Sequence, residues 1–571
     1  MKNISLEIRE DGIGIARMDM PGRPFNVFSE DMMADLEELI EHGATDLTGL
    51  VICSSKNAFA AGADLAMIKD FADMRFDSDW QAMRDRYSHL GKLFRRLERS
   101  PVPIVAAING LALGGGLELA MACHARVCVD VEAPILGLPE ILLGLLPGAG
   151  GTQRLPRYVG LEPGLKMILG GAPITPAQAL EMGLVDAVVP IEKLLATAIE
   201  LVNSTPALAR WDAEAWELPA ADRALLNRPG WDEYCRKVSG WDSARHELYP
   251  AVESIIACVG RGADLPIDEG FNVEWDIFVD LMSDPVAANM VVTCFLNKTA
   301  ATKWATGQVT QSATGLGKIA WCSDTPLPIR LARSTDLVGE DLAYTLIADE
   351  LPSGNKPFIL LRKGTDDKEP VINDVSNMAV LHYVDNLEAA EVVEIAAPPA
   401  LGRAIVELVS SMGKIPIWAI APNSGIRLIL ETLRERIAAS GLDDHQLAGA
   451  AGAVDALPLF QYATPMAAGD QSSFSAQDKI GGLNVLAEVA LILLQECNSR
   501  HEELDVLAVL GLGWPKWTGG PMAFLAMLQR EELPAQGLSS SVLSAVKEIE
   551  QPLKVKASYR AVAVSAASEA S

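Results

Sequence analysis

The sequence lacks an apolar run of the roughly 18 residues that a membrane-spanning helix needs, because Asp, Glu, Arg and Gly interrupt every candidate. The N-terminus, MKNISLEIREDG, carries acidic side chains where a secretory signal would carry its apolar stretch. Basic residues are also scarce, since 47 Lys and Arg stand against 75 Asp and Glu for a net charge of -28. This charge argues against nucleic acid or an anionic membrane as a partner, and we expect a soluble cytoplasmic protein.

Cysteine is sparse as well. The eight cysteines are scattered, and no Cys or His residues near the closest pair, Cys123 and Cys128, complete a zinc pattern. Buried free thiols in a reducing compartment are therefore expected, with no metal site.

The chain of 571 residues has room for roughly three to four domains. Its first part alternates short β-rich runs with helical patterns, which indicates α/β architecture. A helix is predicted after Ser29, a favoured N-cap residue. Strands are predicted at Ile13–Met18, Gly49–Cys53 and Val102–Ile108. From about Ile191 the pattern becomes helical, and it later returns to candidate strands at Lys318–Cys322 and Phe358–Arg362 before helical periodicity resumes at Leu401.

The segment NGLALGGGLELAMACHARV, residues 109–127, is the most informative. Its glycines, Gly114 to Gly116, follow an apolar strand and open a helical pattern, so that free N–H groups lie at a helix N-terminus that favours negative charge. Glu118 falls in the first turn of that helix. Two interpretations stay open for this segment alone: a site that uses the carboxylate, or a tight strand–helix turn with a Glu that favours the first turn.

Two further segments carry chemistry. In ILGLPEILLGLLPGAGGTQRLPRYVG, residues 135–160, Glu140 lies in an otherwise apolar run, where burial would raise its pKa. The alternative is a solvated Glu at a helix start. In KNAFAAGADLAMIKD, residues 56–70, the small residues Ala60 to Ala63 permit a ligand to approach the backbone, and Asp64 would cap the helix that follows.

The three segments together resemble the crotonase superfamily in order and spacing, from the N-terminus to about residue 190. More narrowly, the chain resembles the bifunctional α-subunits of fatty-acid oxidation, in which a hydratase precedes a 3-hydroxyacyl-CoA dehydrogenase. The segment His246 to Ala287 is similar to the helical connection of those proteins.

The resemblance implies roles for four site residues. The N–H groups of Ala63 and Gly115 would hold the thioester oxygen and stabilise the enolate-like charge that develops on it. Glu118 and Glu140 would flank the reacting double bond, one activating water and the other delivering a proton to the α-carbon. Since crotonases with other chemistries usually lack one of the two glutamates, both together favour a hydratase.

The resemblance also implies a coenzyme A site. Ala61, Asp64 and Leu65 would border the adenine pocket, while Lys56 and Arg23 would lie near the CoA phosphates. Such local cations would resolve the conflict between an acidic protein and an anionic ligand.

The second half departs from the dehydrogenase pattern. A G-x-G-x-x-G turn is expected after the strand at Lys318, but that position reads Ser323 to Pro328 without any glycine, and Gly315 and Gly317 precede the strand. His382 and Glu394 keep the family's 12-residue spacing of the catalytic His and its Glu partner, yet only 64 residues separate Lys318 from His382. This length is short for a complete NAD-binding domain, and we expect no NAD binding.

The predicted fold class is α/β: a crotonase-type spiral ββα domain, a helical linker, a reduced Rossmann-like region and a mainly helical C-terminal domain. The expected activity is enoyl-CoA hydration in a β-oxidation-type pathway on an unspecified acyl group, with no cofactor of its own. A Δ3,Δ2-enoyl-CoA isomerase and a non-catalytic scaffold for a thiolase or acyl-CoA dehydrogenase remain alternatives, and a homo-oligomer is an option. The predicted boundaries, in chain order, are 1–190, 191–310, 311–398, 399–560 and a flexible tail at 561–571.

Overall fold

The computed structural model describes the chain except for the following short segments and the C-terminal tail: 44–46, 65–66, 69, 72, 75–78, 215, 242–243, 308–317, 322–341, 348–357, 364–377, 385–386, 388, 398, 420–423, 465, 467–473, 498–499, 534–536, 550–552 and 554–571. The predicted tail at 561–571 and the turn Ser323 to Pro328 lie outside the described residues. The chain divides into two compact units, the first at 1–242 with 246–291 and the second at 243–245 with 292–571.

The first unit is built on a six-stranded sheet with the strand order β1-β2-β3-β4-β6-β8. The first two strands pair antiparallel and all other neighbours pair parallel, while β5 and β7 form a separate parallel pair. The strands are β1 (Ile4–Ile8), β2 (Ile13–Met18), β3 (Gly49–Ser54), β4 (Ile104–Ile108), β5 (Ala112–Leu113), β6 (Ala125–Val129), β7 (Leu136–Gly137) and β8 (Ala187–Val189).

Twelve helices of the first unit have described bounds. The predicted helix start is confirmed, because the Ser29 side chain accepts a hydrogen bond from the Met32 N–H at the N-terminus of α1. The helices are α1 (Glu30–Glu38), α2 (Trp80–Glu98), α3 (Gly115–Met121), α4 (Gly151–Val159), α5 (Leu161–Gly170), α6 (Pro176–Glu181), α7 (Ile191–Ser204), α8 (Ala220–Leu226), α9 (Trp231–Ser239), α10 (Pro250–Gly262), α11 (Ile267–Ser283) and α12 (Pro285–Met290).

The core of the first unit explains why the sequences of its central strands are continuous apolar runs. Every residue of β4, IVAAI, is buried, as expected for a parallel strand that is covered on both faces. Helix α7 covers one face and packs Leu194, Ala198 and Val202 into a cluster with sheet residues such as Val105 and Val127. Residues beyond 190 thus belong to the same core as the predicted first domain.

The predicted linker at 191–310 does not form a unit of its own. The structure divides the chain at 291/292, so most of the predicted linker folds with the first unit. The physical reason is burial: α11 carries Phe271 and Trp275 into a cluster with Trp211, which removes large aromatic surfaces from water.

The second unit contains a six-stranded sheet in the order β14-β13-β12-β11-β10-β9. All neighbours pair parallel except β12 and β13, and the two predicted strands of this region are confirmed at β9 and β11. The strands are β9 (Lys318–Trp321), β10 (Leu342–Ile347), β11 (Phe358–Lys363), β12 (Met378–Tyr383), β13 (Val392–Ala396) and β14 (Ile415–Trp418).

Helices dominate the second unit after the sheet, as the periodicity predicts. They are α13 (Lys298–Gly307), α14 (Pro399–Ser411), α15 (Gly425–Ser440), α16 (Asp444–Ala453), α17 (Leu457–Ala463), α18 (Ala476–Glu496), α19 (His501–Val506), α20 (Pro521–Gln529) and α21 (Ser540–Lys547). Among the described residues, no single helix has the length and apolar composition to cross a membrane, and the pair Ile267–Ser283 and Pro285–Gly307 meets both criteria only across a sharp bend.

Candidate active site

Two of the three predicted segments lie side by side in the first unit. The N–H of Leu113 donates to the carbonyl of Ala60 at 3.1 Å, and Ala60 also pairs with Ala112 in a parallel bridge. A Cβ atom on Gly116 would lie 2.2 Å from the carbonyl oxygen of Ala60, so the approach of the two segments requires glycine there. The loop that carries Ala63 therefore runs along the turn that opens α3.

The predicted oxyanion donors, Ala63 and Gly115, come together at this junction. A Cβ atom on Gly62, next to Ala63, would lie 3.9 Å from the backbone nitrogen of Gly115. Within the described part of the chain, no backbone hydrogen bond is donated by the Ala63 or the Gly115 N–H. Gly115 is the first residue of α3, where the helix itself supplies no acceptor. Both N–H groups are thus available to an external oxygen.

Glu118 lies in α3 and is 3% exposed. Its Oε1 accepts hydrogen bonds from the N–H groups of Ala149 at 2.8 Å and Gly151 at 2.7 Å, and no described protein group donates to its Oε2. Burial raises the pKa of Glu118, whereas the two N–H groups and the charge of Arg154 lower that pKa. One oxygen of the carboxylate is therefore anchored, and the other remains available.

Glu140 is the first residue of a 3-10 turn, Glu140–Leu143. Its Oε2 is buried, and no hydrogen-bond partner for it occurs among the described residues. Burial raises the pKa of Glu140 well above its ordinary value, and the charge of Glu118 raises that pKa further. The two carboxyl groups thus lie in different environments. Two N–H donors and Arg154 partly offset the effect of burial on the pKa of Glu118, whereas burial and the charge of Glu118 drive Glu140 further toward its neutral form.

The sequence profile that describes enoyl-CoA hydratase/isomerase matches residues 10–210, the part of the chain that contains all three segments. Residues 10–210 are a domain of this crotonase-type family.

Relatives of known name extend the similarity beyond this hydratase/isomerase domain. The chain is 39% identical to the "Fatty acid oxidation complex subunit alpha" of Shewanella halifaxensis over 289 residues, which are 49% of this chain and 39% of the relative. It is 37% identical to the protein of the same name from Idiomarina loihiensis over 292 residues, 50% of this chain and 39% of the relative. The chain therefore aligns with only about two fifths of the length of these relatives.

Among solved structures, the enoyl-CoA hydratase from Bacillus anthracis is 26% identical, with a TM-score of 0.31, over 48% of this chain and 89% of that protein.

The first unit holds a third buried carboxylate that the sequence interpretation missed. Glu274 on α11 is fully buried, and it accepts hydrogen bonds from the N–H groups of Gly150 at 2.7 Å and Thr152 at 3.0 Å. The signal in the sequence was weak: an acidic residue within the partly apolar helix FNVEWDIF, which also fits an exposed helix position.

The predicted phosphate neighbours Arg23 and Lys56 converge on one loop, and each is paired with an acid. Arg23 forms an ion pair with Asp64, which is 3% exposed. Lys56 pairs with Asp19 at 2.7 Å and donates to the carbonyl of Met20, also at 2.7 Å. These carboxylates offset the charge of both cations, so the loop presents less positive charge than the sequence alone indicates.

The other predicted adenine neighbours are placed unevenly. Ala61 is half-buried and donates its N–H to the carbonyl of Asn26 at 2.9 Å, whereas Leu65 lies outside the described residues. Beside Ala63 the fold builds an apolar wall, a cluster of buried and half-buried side chains that packs against that residue: Met33, Met67, Leu93, Phe71 and Leu90.

In the second unit, His382 and Glu394 face each other across the antiparallel pair of β12 and β13. Glu394 is fully buried and accepts hydrogen bonds from the Ser424 hydroxyl at 2.5 Å and from the N–H groups of Gly425 at 2.6 Å and Ile426 at 3.2 Å. These donors form the N-terminus of α15, so Glu394 caps that helix. In the described ranges, no cluster of three or more His, Cys, Asp or Glu residues has an arrangement suited to a metal ion.

Proposed function

We propose that the chain is an enoyl-CoA hydratase, which adds water across the 2,3-double bond of an acyl-CoA thioester in a β-oxidation-type pathway. The observation that carries this proposal is the different environment of two neighbouring carboxyl groups. Oε1 of Glu118 accepts hydrogen bonds from two N–H groups, whereas Oε2 of Glu140 is buried with no partner among the described residues. Pairs of this kind divide the tasks of base and acid between chemically identical side chains. The match to the enoyl-CoA hydratase/isomerase profile supports a CoA thioester as substrate, and the relatives named for fatty acid oxidation support the pathway.

Under this proposal, each of these groups has one task in the reaction. Oε2 of Glu118 holds the water and takes one of its protons while the water oxygen bonds to the β-carbon. The electron pair of the double bond moves to the thioester oxygen, where the N–H groups of Ala63 and Gly115 stabilise the negative charge. Glu140 then gives its proton to the α-carbon, and the product is a 3-hydroxyacyl thioester. A proton returns from Glu118 to Glu140, through solvent, before the next turnover.

The second unit has, under this proposal, no NAD-dependent dehydrogenase activity. Ser323 to Pro328, which follows β9, contains no glycine and includes two prolines, which lack the N–H groups that a pyrophosphate needs. Glu394, the partner expected for the catalytic His, caps α15 instead of serving only His382. The unit would then serve packing or assembly with another copy of this chain, a thiolase or an acyl-CoA dehydrogenase.

A panel of enoyl-CoA thioesters tests the proposal and separates it from the isomerase alternative. The two carboxyl groups would also suit a proton shift that moves a 3,4-double bond to the 2,3-position. The purified protein is incubated with 2-enoyl and with 3-enoyl thioesters of several acyl types, and the products are separated chromatographically. Fast formation of 3-hydroxyacyl-CoA from the 2-enoyl thioester supports the hydratase. Conversion of 3-enoyl to 2-enoyl thioester without any hydration would overturn it in favour of the isomerase.

A further inference from the structure

Glu274 has no task in the proposed mechanism, although its burial is costly. An acid without contact to water needs compensating hydrogen bonds, and Glu274 has three. Besides the two N–H donors of Gly150 and Thr152, the Thr152 hydroxyl donates to its Oε2 at 2.5 Å. All three donors lie within residues 149–152, the loop and helix start whose other N–H groups donate hydrogen bonds to Glu118.

Successive N–H groups of this loop donate alternately to Glu118 and to Glu274. The N–H groups of residues 149 and 151 donate to Glu118, and those of residues 150 and 152 donate to Glu274. The loop opens α4, where the first N–H groups have no acceptor within the helix, and its N-cap, Gly150, has no side chain to supply one. The two carboxylates come from separate elements, α3 and α11. Each therefore holds the backbone that orients the donors of the other.

We propose that Glu274 is a positioning residue for the addition of water: it fixes the loop at residues 149–152, and the loop fixes Oε1 of Glu118. This inference rests on the proposed function, in which Glu118 acts as the base. Glu274 itself touches no reacting atom. Because a displacement of about 1 Å at a reacting group costs up to about 100-fold in rate, a residue that holds the base in place affects turnover strongly.

The charge of Glu274 also acts on its neighbours. The titratable groups that face it are Glu118 on α3, Arg157 on α4, Cys258 on α10 and Glu140. Burial, followed by the charge of Glu118, raises the pKa of Glu274 to about 8, and ionised Glu274 in turn helps to raise the pKa of Glu140. Three basic side chains on or just after α2 pair with other acids of α11: Arg84 with Asp276, and Arg95 and Arg99 with Asp268. Lys92 of α2 lies over the ring of Trp275 on α11.

The decisive variant is Glu274→Gln, with Glu269→Gln as its matched control. Glu269 lies on the same helix but is exposed, so the same substitution there leaves the buried contacts of α11 intact. Glu274→Gln should lower kcat for hydration roughly 10–100-fold with little change in KM. Above about pH 8, where Glu274 is ionised in the wild type, the variant removes a negative neighbour of Glu140. The alkaline limb of the pH–rate profile of Glu274→Gln should therefore move to lower pH. The control should match wild type. An unchanged kcat in Glu274→Gln would show that Glu274 has no role in the reaction. A lower kcat with an unshifted alkaline limb would show that its role is only structural.

Amide hydrogen exchange provides a second test that needs no substrate. The N–H groups of residues 149–152 should exchange faster in Glu274→Gln and in Thr152→Val than in Glu269→Gln. Thr152→Val removes the hydroxyl that donates to Glu274 and accepts from Nε2 of Gln153, but keeps the backbone N–H of residue 152. Unchanged exchange in both variants would overturn the positioning role. If the wild-type protein hydrates no enoyl thioester, the proposed function fails, while the exchange data still decide whether Glu274 holds the loop.

Discussion

Gly114 leaves open the space that the Glu140 carboxylate occupies. A Cβ atom on residue 114 would lie 2.7 Å from Oε1 of Glu140, which is closer than real Cβ atoms approach another heavy atom. The backbone of Gly114 also has a φ of +53°, which residues with a side chain rarely adopt. Two separate requirements, conformation and space, thus select glycine at this position.

The Gly114→Ala variant should lower kcat by roughly 10–100-fold, because the added methyl group displaces Glu140 from its place beside the substrate. Gly230→Ala is the matched control, since Gly230 also has a positive φ, of +71°, but its Cβ would have no neighbour closer than 3.8 Å. Both variants should show a similar loss of thermal stability from backbone strain. The difference in kcat between the two variants then measures the effect of the contact between the added Cβ and Glu140. A Gly114→Ala enzyme with normal turnover would contradict the placement of Glu140.

Replacing either carboxylate should abolish most of the activity. Glu118→Gln and Glu140→Gln should each lower kcat by roughly 10²–10⁴, the usual range for a positioned base or acid, while the binding of CoA thioesters changes little. Since the pKa of Glu140 is raised, the acid is protonated at low pH, and the wild-type rate should fall as pH rises through that pKa. The residual rate of Glu140→Gln should lack this alkaline limb. Hydration near the wild-type rate in one variant would remove that glutamate from the mechanism.

The oxyanion role of Gly115 is tested by a pair of variants at one position. Gly115→Pro deletes the N–H, and proline is tolerated at the first residue of a helix, which Gly115 is in α3. Gly115→Ala keeps the N–H but adds a Cβ that would lie 3.0 Å from Cδ2 of Phe28, so it controls for crowding. The proline variant should lose roughly 2.7–4 kcal/mol of transition-state stabilisation relative to the alanine variant. Circular dichroism verifies the fold, and equal kcat/KM in two folded variants would refute the assignment.

The protein should neither bind NAD nor oxidise 3-hydroxyacyl-CoA. A dinucleotide needs converging N–H groups and glycines that permit its close approach, and Ser323 to Pro328 supplies two prolines and the negative charge of Asp324 instead. Calorimetric titration with NAD, together with an absorbance assay for NADH on 3-hydroxyacyl-CoA, measures both properties. Micromolar binding, or NADH formation with turnover, would show that the second unit retains the dehydrogenase.

Local features of this protein were predictable from the sequence, because the forces that set them act within a few residues. Ser29 caps α1 since a hydroxyl reaches the N–H three positions ahead, and the apolar run of β4 marks a strand covered on both faces. The glycines at 114–116 indicated a sharp turn into a helix, and Glu118 fell in its first turn as expected.

Tertiary structure alone decided which distant groups meet. Glu274 accepts hydrogen bonds from Gly150 and Thr152, which precede it by 124 and 122 residues in the chain. Lys56, which was expected beside the CoA phosphates, is paired with Asp19. The pattern of a sequence reports which face of an element avoids water, but not which partner covers that face. The order of the pKa values of Glu118 and Glu140 likewise depends on burial and on distances between elements, which only the folded chain fixes.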